Sequence, residues 1–595
     1  MSIHPSINHP EVHTSDSIFT QAVAIINRSG AAAIIEEWRA EGVAAPRGPF
    51  RGALPYTVES VLVALACVLL RRAEPTIRTT FRTLLDLTPD QLTQLSIDDN
   101  DLTAIRADAD RALKSFRNWL DRSLTCLDSA PDQPAVRITV AKHKAIIRAR
   151  TPEQQERYAV AAQRLSTIVN RILAGSIPIE YEQCGRGDVV VDETIIDTSN
   201  GSYDLGVTDD HYRSAIYFGG YYQRDYRDRV DSEGKPLAKK RAWGIGVTAV
   251  SSVGPHDALH NRPILFTGIA IHPPTSGSLA GLDEAITHHQ RNGFDSRSTS
   301  RTARWPLITF DMGYLKDGLD RWQFERKYAA VFRYPEHWRR DFDSVPARTG
   351  GAKPGPVQLS GAWYCPTAAD ISMGKDYVKP LRDVLDTDEW ESRERRLRQL
   401  LPRLMGVDRR VLERNTQPGR PAEGAQPNKS IKMVLTCPAS LGNVRCARWN
   451  NPATEDRLDL PYIEPDTDMP FYPCCTQRSV TITLTDDQSK RQQLSQWAPG
   501  SNDHAIYHEA ARALTEQRFN LIKSRTVAGL VHLKYGPRRE PLVKIIIAMA
   551  FAVVNIREIE RFEASNRDRL ESITAKWRRL ERDLGQPPIR MPNRT

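Results

Sequence analysis

Asp188-Val189-Val190-Val191-Asp192 sets three consecutive β-branched residues between two aspartates. Such a run suits a short strand buried on both faces, and it delivers a carboxylate, Asp192, at the strand's end. Reading onward, 242–253 and 263–272 have the texture of two further strands and 279–290 of a helix. Residues 306–310 then read as a fourth strand, 316–327 as a second helix and 329–334 as a fifth strand. The segment 201–240, rich in Tyr, Asp and Arg, interrupts the series and reads as an elaboration of it.

The order βββαβαβ is that of a ribonuclease H-like fold, an α/β class. It predicts a catalytic core whose first part spans 179–334. Upstream, 1–178 reads as a helical domain, with apolar residues at helical spacing in Ile18-Phe19, Ala22-Val23-Ile25-Ile26 and Val58-Val61-Leu65-Leu69, and Thr151-Pro152-Glu153 opening a further helix. Arg71, Arg72, Arg78, Arg82, Lys142, Lys144, Arg148 and Arg150 stud this block, which fits DNA-end binding, although it carries no definite helix-turn-helix signature and a purely structural cap is the alternative. Downstream, 335–500 reads as a β-rich insertion with one charged helix at 388–404 and a Gly-, Pro- and Asn-rich loop at 415–429. Helices return at 504–523 and 542–584, so 501–595 completes the core and adds C-terminal helices.

A chain of 595 residues exceeds one compact core. Its net charge of +9 tilts the partner list toward phosphate-rich polymers, with a solvated basic surface as the plain alternative. The most apolar run, 58–70, is too short to span a bilayer, and no secretory leader is visible, so no membrane partner is expected. Eight cysteines make no disulfide scaffold and point to a reducing cytoplasm.

Asp192 and Asp311 lie 119 residues apart, yet they close strands that are neighbours in the expected sheet. Paired carboxylates at that place suit Mg²⁺ or Mn²⁺: hard cations take oxygen ligands, and two ions can activate a nucleophile and stabilise the leaving oxygen. A third carboxylate comes from the helix at 504–523. Arg512, Glu516 and Lys523 fall at 0°, about 40° and about 20° around its axis, one face carrying cation, carboxylate and cation. Asp188 and Asp197 compete with Asp192, and Asp317 with Asp311.

Arg512, three residues, Glu516, six residues, Lys523 resembles the Tyr-Arg-Glu-Lys signature of a large group of bacterial insertion-sequence transposases. Asp192-Glu193-Thr194 resembles that family's Asp-x-Thr motif, and Asp311-Met312-Gly313-Tyr314 its Asp-x-Gly-Tyr motif. The likeness runs from about 185 to 560. The separation of 205 positions between Asp311 and Glu516 would hold the family's β-rich insertion. The family's Tyr position is occupied by Glu509, and Tyr507 lies about 140° off the catalytic face. The resemblance implies a DDE transposase: metal-dependent endonuclease cleavage of double-stranded DNA at transposon ends, then strand transfer into target DNA in recombination. Asp192, Asp311 and Glu516 would be the catalytic residues and the ligands of two Mg²⁺ or Mn²⁺ ions, with Arg512 and Lys523 on the cut strand. It also implies a homodimer on DNA and a bacterial, DNA-associated location. A domesticated DNA-binding protein of the same fold, or a structure-selective nuclease that cuts without joining, stays open.

Arg525, Lys534, Arg538 and Arg539 follow the catalytic helix as DNA-phosphate contacts. Trp322, Trp338 and Trp363 suit either base stacking or core packing. Cys365, Cys437, Cys446, Cys474 and Cys475 concentrate in the insertion. They could hold a structural Zn²⁺, but no Cys-x-x-Cys pair occurs and buried unligated thiols are the alternative. His288 and His289 read as surface residues.

Overall fold

The computed structural model describes residues 14–41, 54–182, 187–198, 208–224, 240–295, 305–315, 319–334, 353–371, 381–385, 387, 389–414, 429–524, 526–528, 530, 536–565 and 572–592. The helices used below are α1 (Asp16–Ser29), α2 (Val58–Leu70), α3 (Pro152–Gly175), α4 (Ser278–Arg291), α5 (Glu389–Leu400), α6 (Asn502–Lys523), α7 (Glu540–Ala564) and α8 (Ser572–Leu584). The central strands are β1 (Val189–Asp197), β2 (Lys240–Ser252), β3 (Leu265–His272), β4 (Leu307–Thr309) and β5 (Ala329–Val331).

These strands form one mixed sheet in the order β3-β2-β1-β4-β5. β1, β2 and β3 pair antiparallel, while β1–β4 and β4–β5 pair parallel. The interrupting segment also contributes to the sheet: Gly220–Arg224 pairs with the first residues of β2, on the edge that β3 uses further along. The protein is therefore mixed α/β. The helix expected at 316–327 is corrected. Residues 316–318 lie outside the described set, and Arg321–Glu325 forms a single π-type turn. Its Trp322 and Phe324 face the core.

Local chemistry explains the helix boundaries. Ser15 caps α1 by accepting from the Ile18 amide, and Gly30 closes it at φ +62, the left-handed conformation glycine adopts without strain. Thr151 and Gln154 form a capping box with Pro152 at the first position of α3. Gly268 lets α4 approach β3 closely, since a Cβ there would sit 2.2 Å from the Ala285 carbonyl oxygen.

The N-terminal helices and the sheet share one core. Residues of α1, α2, α3 and α7 pack in a single apolar cluster with Ile245, Val247, Phe266 and Ile269 of β2 and β3. Two asparagines seal the free edge of β3. Asn170 of α3 accepts from the Ile269 amide at 2.8 Å and donates to the Ile269 carbonyl at 2.9 Å. Asn555 of α7 does the same for Phe266 at 2.8 and 2.9 Å, and also donates to Ser176. An exposed edge would offer these groups to another chain; here each helix supplies a mimic of a neighbouring strand. His289, expected at the surface, is fully buried, and His288 nearly so. Both face inward from α4, onto Thr267 and Ser166. No single helix among the described residues is long and apolar enough to cross a membrane. The apolar run of α2 is a buried core helix.

A second, three-stranded antiparallel sheet lies between Asp311 and α6 in sequence. A hairpin of β6 (Val357–Leu359) and β7 (Ala362–Tyr364) precedes β8 (Gly406–Arg414), β9 (Lys429–Thr436) and β10 (Ser479–Thr483), which pair in that order. Trp363, at 0% exposure, belongs to the core beneath this sheet, so it and Trp322 pack instead of stacking on a base. Trp338 lies outside the described residues.

Candidate active site

Asp192 is the fourth residue of a nine-residue strand, not its last. Parallel pairing with β4 nevertheless stops at Val190↔Thr309, while pairing with β2 continues through Asp192↔Ala249 to Asp197. The mid-strand carboxylate therefore stands beside the place where β4 ends and Asp311 begins. Asp311 caps the one-turn helix Met312–Tyr314, its Oδ1 accepting from the Met312 amide at 2.7 Å.

α6 supplies the third group. Ser501 caps it through the His504 amide, and the helix runs unbroken through Arg512, Glu516 and Lys523. Arg512 Nη2 lies 3.0 Å from Asp311 Oδ2 and 3.4 Å from Glu516 Oε1. One guanidinium thus joins the end of β4 to the helix. Burial pushes the Asp192 carboxyl up to about 6; Asp311 and Glu516 add to that rise, and Arg512 and the Glu193 amide oppose it. Asp192, Asp311, Glu516 and Arg512 therefore occupy one electrostatic neighbourhood. Lys523 is two helical turns beyond Glu516, in the last turn of α6.

The competing carboxylates have other partners. Asp188 is buried, with its Oδ1 accepting from the Leu307 amide at 2.8 Å, which fixes the start of β4. Asp197 accepts from the Tyr222 hydroxyl. Glu193, next to Asp192, accepts from the Thr275 amide at 3.1 Å and from the Ser278 hydroxyl, holding the start of α4. Asp317 lies outside the described residues. Glu509, at the position of the family's Tyr, accepts from the Leu381 amide at 2.7 Å and pairs with Lys576 of α8 at 3.7 Å. It braces α6 from another side. Tyr507 is buried against Trp497, with ring centroids 4.6 Å apart.

Two nearby residues had no assigned role in the sequence. His508, one turn before Arg512, is buried; desolvation, Arg333 and Arg512 hold its imidazole down to about 3, and it donates to the Phe310 carbonyl. It is a neutral wedge between α6 and the strand leading to Asp311. The spacing His508–Arg512, four residues, was the signal that could have shown it. Tyr314 is buried, and burial, then the Asp192 charge, push its hydroxyl well above the ordinary range. The neighbouring Thr248 Oγ1 lies 2.8 Å from His272 Nε2, so a polar layer lies beneath Asp192.

Arg538 and Arg539 face the N-terminal block. Arg539 donates to the Gln133 carbonyl at 2.7 Å and lies 3.6 Å from Asp128, and Arg538 reaches the Ala135 carbonyl at 3.4 Å. Arg525 and Lys534 lie outside the described residues. Chemically, three carboxylates from three segments gather around one guanidinium; among the described residues no three such side chains already stand in ligating geometry, but oxygen donors are the kind a hard divalent cation takes. No protein-family model matches this chain, and no curated protein matches it either.

Proposed function

We propose that this chain is a DDE transposase with a ribonuclease H-like core, cutting DNA at transposon ends and joining those ends to target DNA. The observation that carries the reading is the convergence of Asp192, Asp311 and Glu516 around Arg512, from positions 119 and 205 residues apart. The strand order β3-β2-β1-β4-β5, antiparallel then parallel, agrees with that core. The net charge of +9 favours a DNA partner.

Asp192, Asp311 and Glu516 offer the oxygen donors that two Mg²⁺ or Mn²⁺ ions take, and burial beside Asp311 and Glu516 raises the proton affinity of Asp192, a charge cost that a bound cation would offset. When bound, such ions lower the barrier to in-line displacement at phosphorus by activating the attacking oxygen and stabilising the leaving one. The protein's own part is positional. β1 and β4 hold two carboxylates on a rigid sheet, and α6 brings the third across them. Arg512 forks onto a non-bridging phosphate oxygen once the carboxylates are neutralised, and Lys523 holds the backbone further along the same groove. Two ends must be joined in one event, so the active form is a homodimer on DNA.

Purified protein incubated with Mg²⁺ and the DNA flanking its own gene tests the reading. Cleavage at terminal inverted repeats followed by strand-transfer product is expected, with both lost in Glu516→Gln. Nicking without joining would make it a nuclease; bound but uncut DNA would make it a binding protein. Cleavage by Glu516→Gln at the wild-type rate would refute the site.

A further inference from the structure

The β-rich sheet converges at one end on four thiols. Gly406 of β8 pairs with Thr436 of β9, and Thr436 with Ser479 of β10, so those three ends are level. One step beyond, the Cys437 amide donates to the Arg478 carbonyl at 3.2 Å, three residues after Cys475. On the other side the hairpin extends the same end: Met405 donates to the Trp363 carbonyl, Tyr364 bridges Leu404, and the Cys365 amide donates to Arg403 at 2.8 Å. Cys446, in the two-residue strand Arg445–Cys446, packs with Cys437, Val444 and Ile463. Cys365 is within electrostatic reach of Cys437 and Cys475, and Cys437 within that of Cys446 and Cys475.

Burial, then the neighbouring thiols, push the Cys365 thiol up to about 11 and raise that of Cys437, a cost that a bound cation would remove, while turn amides oppose it. Cys365-Pro366 and Cys437-Pro438 each open a turn whose following amides point back at sulfur, Thr367 in the first and Ala439 and Ser440 in the second. The Arg448 amide donates to Cys446 Sγ at 3.5 Å. Arg403 lies near Cys365, and Arg448 near Cys475, to offset the charge a four-thiolate site carries. The segment from Cys437 to Arg478 has little regular structure; its turns are tied by Arg448, which donates to the Asp466, Met469 and Pro470 carbonyls, and by Asn451, which donates to the Ala439 carbonyl. Its elements are two-residue strands and helices of three and four residues, over a buried cluster of Cys437, Ala439, Val444 and Ile463. So small a core needs a staple, and all four cysteines are free thiols. Cys474 is also within reach of Cys365 and Cys437 and donates its S–H to Cys475, but it is buried against Gly355, so it backs the cluster rather than lining it.

We propose that Cys365, Cys437, Cys446 and Cys475 bind one structural zinc ion that ties the segment 437–478 to the end of the β-rich sheet. Among the described residues no three Cys, His, Asp or Glu side chains already stand in ligating geometry, so the thiols close on the ion by side-chain rotation. The site is independent of the catalytic reading.

The test is metal content. Full-length protein purified without chelator should carry one zinc per chain by elemental analysis. Cys437→Ser and Cys475→Ser should lose it, while Cys126→Ser, outside the cluster, should keep it. Wild-type protein titrated with a mercurial should release its zinc in step with thiol modification, a readout that requires no variant to fold. Cobalt exchanged into the site should show thiolate-to-metal charge-transfer absorption. Folded wild-type protein that neither contains nor takes up zinc would overturn the proposal. So would zinc retained in Cys437→Ser and Cys475→Ser, or an iron–sulfur chromophore in place of zinc.

Discussion

Replacing Asp192 by Asn should make the metal-free protein more stable. The folded state holds the Asp192 proton up to about pH 6, against an ordinary value of 3.8, chiefly because the carboxyl is taken out of water and has Asp311 and Glu516 for neighbours. A rise of that size corresponds to ~3 kcal/mol between the two protonation states. Between pH 3.8 and 6 the folded chain binds more protons than the unfolded one, so stability falls as pH rises through that window. Above it the whole penalty is present. Asn carries no charge, and its Oδ1 can still accept from the Glu193 amide, a bond of 2.8 Å in the wild type. Arg512 offsets part of the Asp192 charge, so the expected gain is about 1–3 kcal/mol at pH 7.5. Urea unfolding of both proteins in EDTA at pH 7.5 and pH 4 measures it. The gain should vanish at pH 4, where the wild-type carboxyl is protonated. Saturating Mg²⁺ should reverse the order at pH 7.5, because only the wild type gains binding energy. A variant equal to or less stable than wild type in EDTA at pH 7.5 would refute the reasoning.

Further consequences follow from the same structure. Asn555→Leu strips partners from the Phe266 amide and carbonyl at the edge of β3 and should cost about 3–5 kcal/mol, since each buried unpaired group costs about 1–3; chemical unfolding reads the loss, and an unchanged midpoint would contradict the strand-mimic role. His508 stays neutral down to about pH 3 when folded but protonates near 6.5 when unfolded, so it withdraws stability as pH falls through that interval. His508→Gln should flatten the acid limb of the stability profile, and an unaltered limb would show that His508 is not buried as described. Asp188→Ala should destabilise by about 1–3 kcal/mol through the Leu307 amide while leaving Mn²⁺ affinity unchanged, separating it from Asp192.

Much of this architecture was legible because the sheet is built from runs with one reading. Val189-Val190-Val191, three β-branched residues in a row, suits a strand buried on both faces, and the helix carrying Arg512 and Glu516 is long and cleanly capped. What was not legible depends on partners remote in sequence. Nothing near Asp192 shows that β1 continues five residues past it; that follows from β2 being longer than β4. The role of Asp188 required knowing where β4 begins, 119 residues later. His288 and His289 read as surface residues because their partners, Ser166 and Thr267, lie on other elements. The residues 316–327 had helical spacing, yet Arg321–Glu325 closes as a π-type turn into β5. The expected clustering of cysteines was a count along the chain, and the register of β8, β9 and β10 turns it into a place.

The central claim is that Asp192, Asp311 and Glu516, from three distant segments, hold divalent metal together. Iron(II) substituted for Mg²⁺, with ascorbate and peroxide, generates hydroxyl radicals at the bound ion that cut the nearest backbone, and mass spectrometry maps the cuts. The account predicts cleavage next to 192, 311 and 516 in the same molecules, suppressed by excess Mg²⁺ and absent in Glu516→Gln. Cuts confined to one of these segments, or clustered elsewhere and indifferent to Mg²⁺, would contradict it.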